Sequence, residues 1–366
     1  MTSLLFLLSG ALLGNFEDKQ ESIVPIDKTA AATIHLKGFP DWLELGFGSL
    51  WVSNAGLNAV QRIDLKTNKV VAEVKVNQLC AAMASGYCSL WVASYKDKSI
   101  VRIDVKKNQV TAKIPVMVAD TEASIAAGEG GVWLVTDRKG ILSRIDPDTN
   151  RVVATIEVKP NSYAAMAGYG AIWVTNTGKA GAKDKGSVQR IDPKTNKVVA
   201  TIPVRVQPRF LAVGEGAVWV LNQADGSVSR IDPKTNQVVA TIEAGASGPG
   251  GDIAAGEGAV WVRASKVLVS VIDPKSNKVV KHYGPAQGSG AVRAGNGSVW
   301  ISAHDVNKLW RLDPRPQAEN LGSQAYKAST TEIGCMPSPS RMSCPAQAEP
   351  YRRACPAIRR CCRHRR

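Results

Sequence analysis

Two carboxylates, one arginine and two aromatic rings carry the chemistry that this chain could gather around one axis: Glu44, Asp252, Arg293, Trp42 and Phe210. A guanidinium grips carboxylate or phosphate through a planar fork, and an aromatic face stacks on a flat ligand. The group therefore reads as a pocket for a small anionic ligand. The other reading is an ion pair that reinforces a seam of the fold and holds nothing. Two carboxylates could begin a divalent-cation site, but an arginine between them disfavours a cation by charge. Glu122, Tyr163 and Arg209 fall one or two residues nearer the same mouth and would extend a pocket, and His304 could also sit at that mouth. No catalytic residue and no metal ligand is assigned.

These residues can meet only if a repeated element places them. A Trp followed by Val, Leu or Ile occurs at 51, 91, 133, 173, 219, 261 and 300, with spacings of 40, 42, 40, 46, 42 and 39. An Asp ending an "RID"-like run follows each, at 64, 104, 146, 192, 232, 273 and 313. Each copy carries four short β-branched runs; in the fifth these are "RFLAV", "AVWVLN", "VSRID" and "QVVATIEA". The turns between them have mechanical reasons for their letters. In "DPKTN" the Pro presets φ, the Asp side chain caps the turn, and the Asn tolerates the left-handed conformation. Four antiparallel strands every ~40 residues describe propeller blades. The fold class is all-β, a seven-bladed β-propeller over residues 28–316.

The stretch "KTAAATIHL" (28–36) resembles the end of a repeat without its beginning. Ile34 precedes Trp51 by 17 residues, as Ile202 precedes Trp219, so this stretch is in register as a fourth strand. The seventh copy has only three. Pairing the two closes the ring and leaves no exposed blade edge.

In a propeller the first strand of each blade lines the channel. Eight residues before each tryptophan stand Leu43, Met83, Ile125, Ala165, Leu211, Ile253 and Val292, all apolar and expected between blades. By alternation, positions minus nine and minus seven face the channel. These are mostly small, with the exceptions Trp42, Glu44, Phe210, Asp252 and Arg293. The "GxG" and "DPxTN" turns share one face, the bottom, and read as structural. Loops on the top face vary from blade to blade, the longest being "TGKAGAKDKGS" in blade four, so the top is the expected binding face.

The pattern "WVxN…RIDPxTNxVVATIxV" resembles the YVTN-type repeats of bacterial extracytoplasmic propellers, and is similar to the virginiamycin B (streptogramin) lyase group. The resemblance covers all seven copies. It implies the propeller fold; for the lyases it implies a His-and-Glu cluster with Mg²⁺ on one face. Here the body holds only His35, His282 and His304, with no His-x-Glu pairing, so the lyase residues do not carry over.

The termini differ from the body. Residues 1–20 contain "SLLFLLSGALLG", the apolar core of an export signal or a disordered start. Residues 317–366 read as a disordered Arg/Pro/Cys-rich tail. From Ala328 on, eight Arg and two Glu supply +6 of the net +15, without any zinc-like Cys spacing. No apolar run reaches membrane-spanning length. Cys80 and Cys88 are expected as two unpaired thiols, with Gly86–Tyr87 as the hairpin turn between their strands.

The expectation is thus a monomeric, periplasmic or secreted binding scaffold, without cofactor and without specific nucleic-acid binding. Its top face and channel would take a small anionic ligand, a peptide or a protein. The alternative is a Mg- or Ca-dependent lyase or lactonase of the streptogramin-lyase type. A third reading is a sensor module cut from a larger protein.

Overall fold

The computed structural model describes residues 23–77, 82–120, 122, 124–178, 185–248 and 250–314. Cys80, the middle of the blade-four loop, and both terminal segments (1–20 and 317–366) lie outside the described residues. The rest forms seven antiparallel four-stranded sheets arranged as propeller blades. Blade five is representative, with strands Pro208–Gly214, Ala217–Asn222, Ser227–Asp232 and Gln237–Glu243.

The turns fold as their letters require. Glu215 and Gly216 both take positive φ (48° and 76°), the two-residue turn that matches strand twist. In "DPKTN" the Asp232 carboxylate accepts the Lys234 N–H at 2.8 Å, and Asn236 sits at φ 59°. The same Asp-capped turn recurs at Asp64, Asp104, Asp146, Asp192 and Asp273.

Ring closure follows the sequence register. Strand Ala32–His35 pairs with Lys308–Leu312, Ile34 opposite Leu309, and completes blade seven. Lys28 and Thr29 do not belong to that strand; they end a short helix, Ile26–Thr29. Before it, strand Ile23–Pro25 adds in parallel to the outer strand of blade six, Lys278–Gly284. The N-terminal segment is therefore a strap across the blade six–seven seam. Its Ile26 is fully buried, and the Trp310 indole donates to its Asp27 at 2.7 Å.

The signature tryptophans are buried, and six of them donate Nε1–H to the carbonyl of the Gly five residues earlier, at 3.0–3.2 Å. That glycine opens the bottom turn, so the indole fixes the turn to its own blade. The "RID" arginine then covers the ring. Arg190, for example, stands 5.3 Å from the Trp173 centroid and donates to the Pro233 carbonyl (3.1 Å) and Asn236 Oδ1 (2.9 Å) of the next blade's hairpin. Arg62, Arg102, Arg144, Arg230 and Arg311 do the same; Arg311 joins blade seven to blade one through Leu65 and Asn68. The glutamates of the "GEG" turns tie blades as well. Glu129, Glu215 and Glu257 accept from Gly170, Gly258 and Gly297 of the following blade at 2.9–3.0 Å.

Hydrogen bonds from within the turn hold the carboxyls of Asp64, Asp104, Asp146, Asp192, Asp232 and Asp273 below the ordinary aspartate range. A carboxyl depressed by folding contributes stability above its unfolded pKa and loses it as pH falls through the folded value. The melting temperature is therefore expected to drop once pH falls below about 4. Circular-dichroism melts from pH 7 to pH 3 check this; a rise in that acid range would contradict it.

Candidate functional site

The first strands bring three of the sequence-chosen channel residues into one ion cluster. Arg293 of blade seven lies 2.5 Å from Asp252 of blade six and 3.7 Å from Glu44 of blade one. The Glu44 carboxylate also accepts from the N–H (2.9 Å) and hydroxyl (2.7 Å) of Ser85 in blade two. Asp252 accepts from Val292 N–H. Three blades thus meet at one guanidinium, and Ser85 joins a fourth through Glu44. Burial pushes the Glu44 and Asp252 carboxyls up, and Arg293 offsets this in part. Burial works against charge on Arg293 too, but its two acidic neighbours outweigh it and raise its pKa.

At the register of Asp252, two residues above Glu44 and Arg293, aromatic side chains meet in the channel. The Trp42 and Phe210 rings, from blades one and five, meet edge to face across the axis at 5.5 Å. Tyr163 of blade four adds a second edge contact to Phe210 at 5.6 Å. Trp42 and Phe210 are buried, 4% and 2% exposed, so neither offers a free face for stacking. Trp42 Nε1 is buried without a hydrogen-bond partner among the described residues. Beneath the rings remains a cavity of about 90 Å³ touching Glu44, Ser85, Met166 and Arg293. Met83 and Ile125, expected between blades, line it as well.

Of the two readings of these residues, an anion grip and an ion pair across a seam, the ion pair is the contact present here. Arg293 donates through Nη1 to Asp252 and to the Val292 carbonyl, and its Nε lies 3.7 Å from Glu44. The cluster fails as a cation site. Glu44 and Asp252 both face the guanidinium, and among the described residues no three His, Cys, Asp or Glu side chains are grouped to hold a metal. The residues present therefore do not fit the Mg²⁺ that the lyase resemblance implies. His304 lies elsewhere on the top, stacked on Phe39 at 4.1 Å with Nδ1 2.6 Å from Asp305.

A second grouping is more open. Glu122, Tyr163 and Arg209 come from blades three, four and five and clasp one another at the top. Arg209 donates to the Glu122 carboxylate and to the Tyr163 hydroxyl, both at 2.6 Å, and that hydroxyl lies 3.2 Å from Glu122. The guanidinium lies 4.6 Å from the Tyr163 ring centroid. Burial pushes the Tyr163 phenol up, so it stays protonated and donates. Beside the clasp opens a recess of about 240 Å³, lined by Arg209, Tyr163, Gln223, Asn161, Asp120 and Arg138 among others. Arg138 is paired with Asp120, yet its side chain is 68% exposed.

Sequence reasoning passes over Asp120, Arg138 and Gln223, which stand in the variable top loops and carry no motif. It also passes over Arg263, which is fully buried at the blade six–seven seam. There its guanidinium donates to the carbonyls of Ala264, Leu268, Ser302, Gln287 and Gly288. Burial pushes its pKa down to about 10. The place of the signal is visible: every other copy has Ser, Thr, Ala, Val or Leu at that position. The expected free thiols need correction too. Cys88 is disulfide-bonded. The turn is Tyr87–Cys88, both at positive φ, so Cys88 stands at the hairpin tip and not opposite Ser85.

Solved propellers of more than one kind share this architecture. Streptogramin B lyase superposes with a TM-score of 0.62 at 17% identity, covering 76% of this chain and 96% of that one. Virginiamycin B lyase from Staphylococcus aureus gives 0.60 at 15% identity, covering 76% and 97%. The RRP9 WD40 repeats give 0.64 at 10% identity, covering 79% and 98%. Two family descriptions match parts of the chain, "Repeat of unknown function (DUF6923)" over residues 92–205 and "Domain of unknown function (DUF5074)" over 209–319. No curated protein matches it in sequence. The chain shares the fold of these lyases, and that fold serves many functions.

Removing the guanidinium from the ion cluster leaves two carboxylates facing each other in a buried layer. Arg293→Met is expected to cost about 3–5 kcal/mol at pH 7. Carboxyls raised in the folded state favour folding at low pH and lose that contribution as pH rises. The loss should therefore shrink toward pH 5, and Asp252→Asn should restore part of it. Urea unfolding at both pH values measures this; an equal loss at both would contradict it.

Proposed function

We propose that this protein is a non-catalytic binding propeller whose top recess over blades three to five takes a small anionic ligand. The observation that supports this most is the Glu122–Tyr163–Arg209 clasp beside an open recess with an exposed guanidinium, Arg138. In the clasp Arg209 is held rigid by three partners, so a ligand meets a preorganised wall. Arg138 can trade Asp120 for a ligand carboxylate or phosphate, because an exposed ion pair is weakly held. The recess suits a small molecule and is small for a peptide. The channel cluster has a structural role in this reading, joining blades six, seven, one and two.

We place the protein outside the cytoplasm. The apolar run at 3–14 supports export, and the Cys88 disulfide fits an oxidising compartment. The metal-dependent lyase is the reading that the fold would admit and the channel chemistry opposes.

A thermal-shift screen of carboxylate and phosphate metabolites, Mg²⁺ and Ca²⁺ on the full chain tests the proposal. An anion is expected to raise the melting temperature by mass action. Arg138→Ala should remove that shift and leave the unliganded melt unchanged, since the side chain is largely exposed. An anion shift that survives Arg138→Ala, or a shift with the divalent cations alone, would contradict it.

A further inference from the structure

Six of the seven seams carry the same bottom staple, an arginine lying on a tryptophan and donating to the next blade's hairpin carbonyl at 2.6–3.1 Å. The seventh, between blades six and seven, has Val271 where the arginine would be, paired across the strands with Trp261. A cleft of about 400 Å³ opens at that place. Its walls include Trp261, Val271 and Tyr283, and on the blade-seven side Pro314. Pro314 follows Asp313 as Pro147, Pro193, Pro233 and Pro274 follow theirs, and those four carbonyls each accept a guanidinium in their own seams.

We propose that this cleft binds an arginine side chain presented by a partner protein, in the position that the chain's own arginines fill at the other six seams. The apolar wall and the carboxylates of Glu257, Asp273 and Asp313 around the cleft, against one Lys281 that stands 5.6 Å from the Tyr283 ring centroid, match a planar cation. The volume exceeds one guanidinium, so residues flanking the arginine have room to enter. The seam remains closed without a staple because it is held from two other directions. Arg263 reaches from blade six to blade-seven carbonyls near the top, and the N-terminal strap crosses at the outer edge, with Val24 and Thr29 at the cleft's rim. Beside the Glu257–Gly297 hydrogen bond, no side chain among the described residues fills the arginine's place at the bottom of this seam. It lies on the opposite face from the anion recess, so the two proposals stand or fall separately.

The test is fluorescence anisotropy of a labelled Gly-Ser-Arg-Ser-Gly peptide with the full chain, against its lysine counterpart. The arginine peptide should bind saturably, and the lysine peptide about fivefold more weakly or worse, for want of a planar fork that can stack. Val271→Arg supplies the missing guanidinium from within and should abolish binding. Val271→Met, which takes the arginine's place over Trp261 without charge, should do so as well and keeps the test valid if the first variant folds poorly. Absence of saturable binding to the full chain would overturn the proposal, including the case in which residues 315–366 occupy the cleft themselves. So would arginine-peptide binding that both variants leave unchanged.

Discussion

A guanidinium lying on a tryptophan and reaching into the next blade is the interaction on which this ring depends. The tryptophan fixes its own bottom turn through Nε1, and the arginine carries that fixed point across the seam to a hairpin carbonyl and an asparagine. The asparagine can receive it because its left-handed backbone and the aspartate cap hold the hairpin in one shape. Each staple combines a stacked cation with charged hydrogen bonds, on the order of 1–2 kcal/mol. The motif letters Trp, Arg, Asp and Asn are therefore one mechanical unit spread over two blades.

With cohesion carried at the bottom, the top is left free to vary. Blades three, four and five use that freedom to clasp Glu122, Tyr163 and Arg209 beside a recess. Blades six, seven, one and two use it differently, gathering Asp252, Arg293, Glu44 and Ser85 in a cluster beside the Trp42–Phe210 ring pair. The two groupings contain similar residue types with opposite consequences. In the buried layer one arginine answers two carboxylates and joins three blades. At the mouth Arg209 is held, and Arg138 beside it pairs with Asp120 while staying largely exposed.

The blades, their turns and the closing strand at 32–35 are legible in the amino-acid sequence, because period, register and turn chemistry all point the same way. The choice of Trp42, Phe210 and Arg293 as channel-facing follows from alternation alone. What alternation does not supply is distance across the axis. Trp42 and Phe210 lie far apart in sequence and on non-adjacent blades, so their contact in the channel leaves no mark in the pattern. The strap at 23–25 escapes for a related reason: a three-residue parallel addition has no period of its own. The Cys88 thiol reads wrongly when the turn is placed one residue early, which changes where every side chain at the hairpin tip points. The arginines of "RID" stand in plain view, but a cross-blade partner some 45 residues away leaves no local trace.

The most direct measurement is a double-mutant cycle between Arg190 and Asn236, which touch only across the blade four–five seam. Equilibrium urea unfolding of Arg190→Ala, Asn236→Ala and the double variant yields their coupling. If the staple carries the cohesion between blades, the coupling should be about 1 kcal/mol or more, with one cooperative transition throughout. Strictly additive losses would show that the blades are held by packing alone and would contradict the central claim.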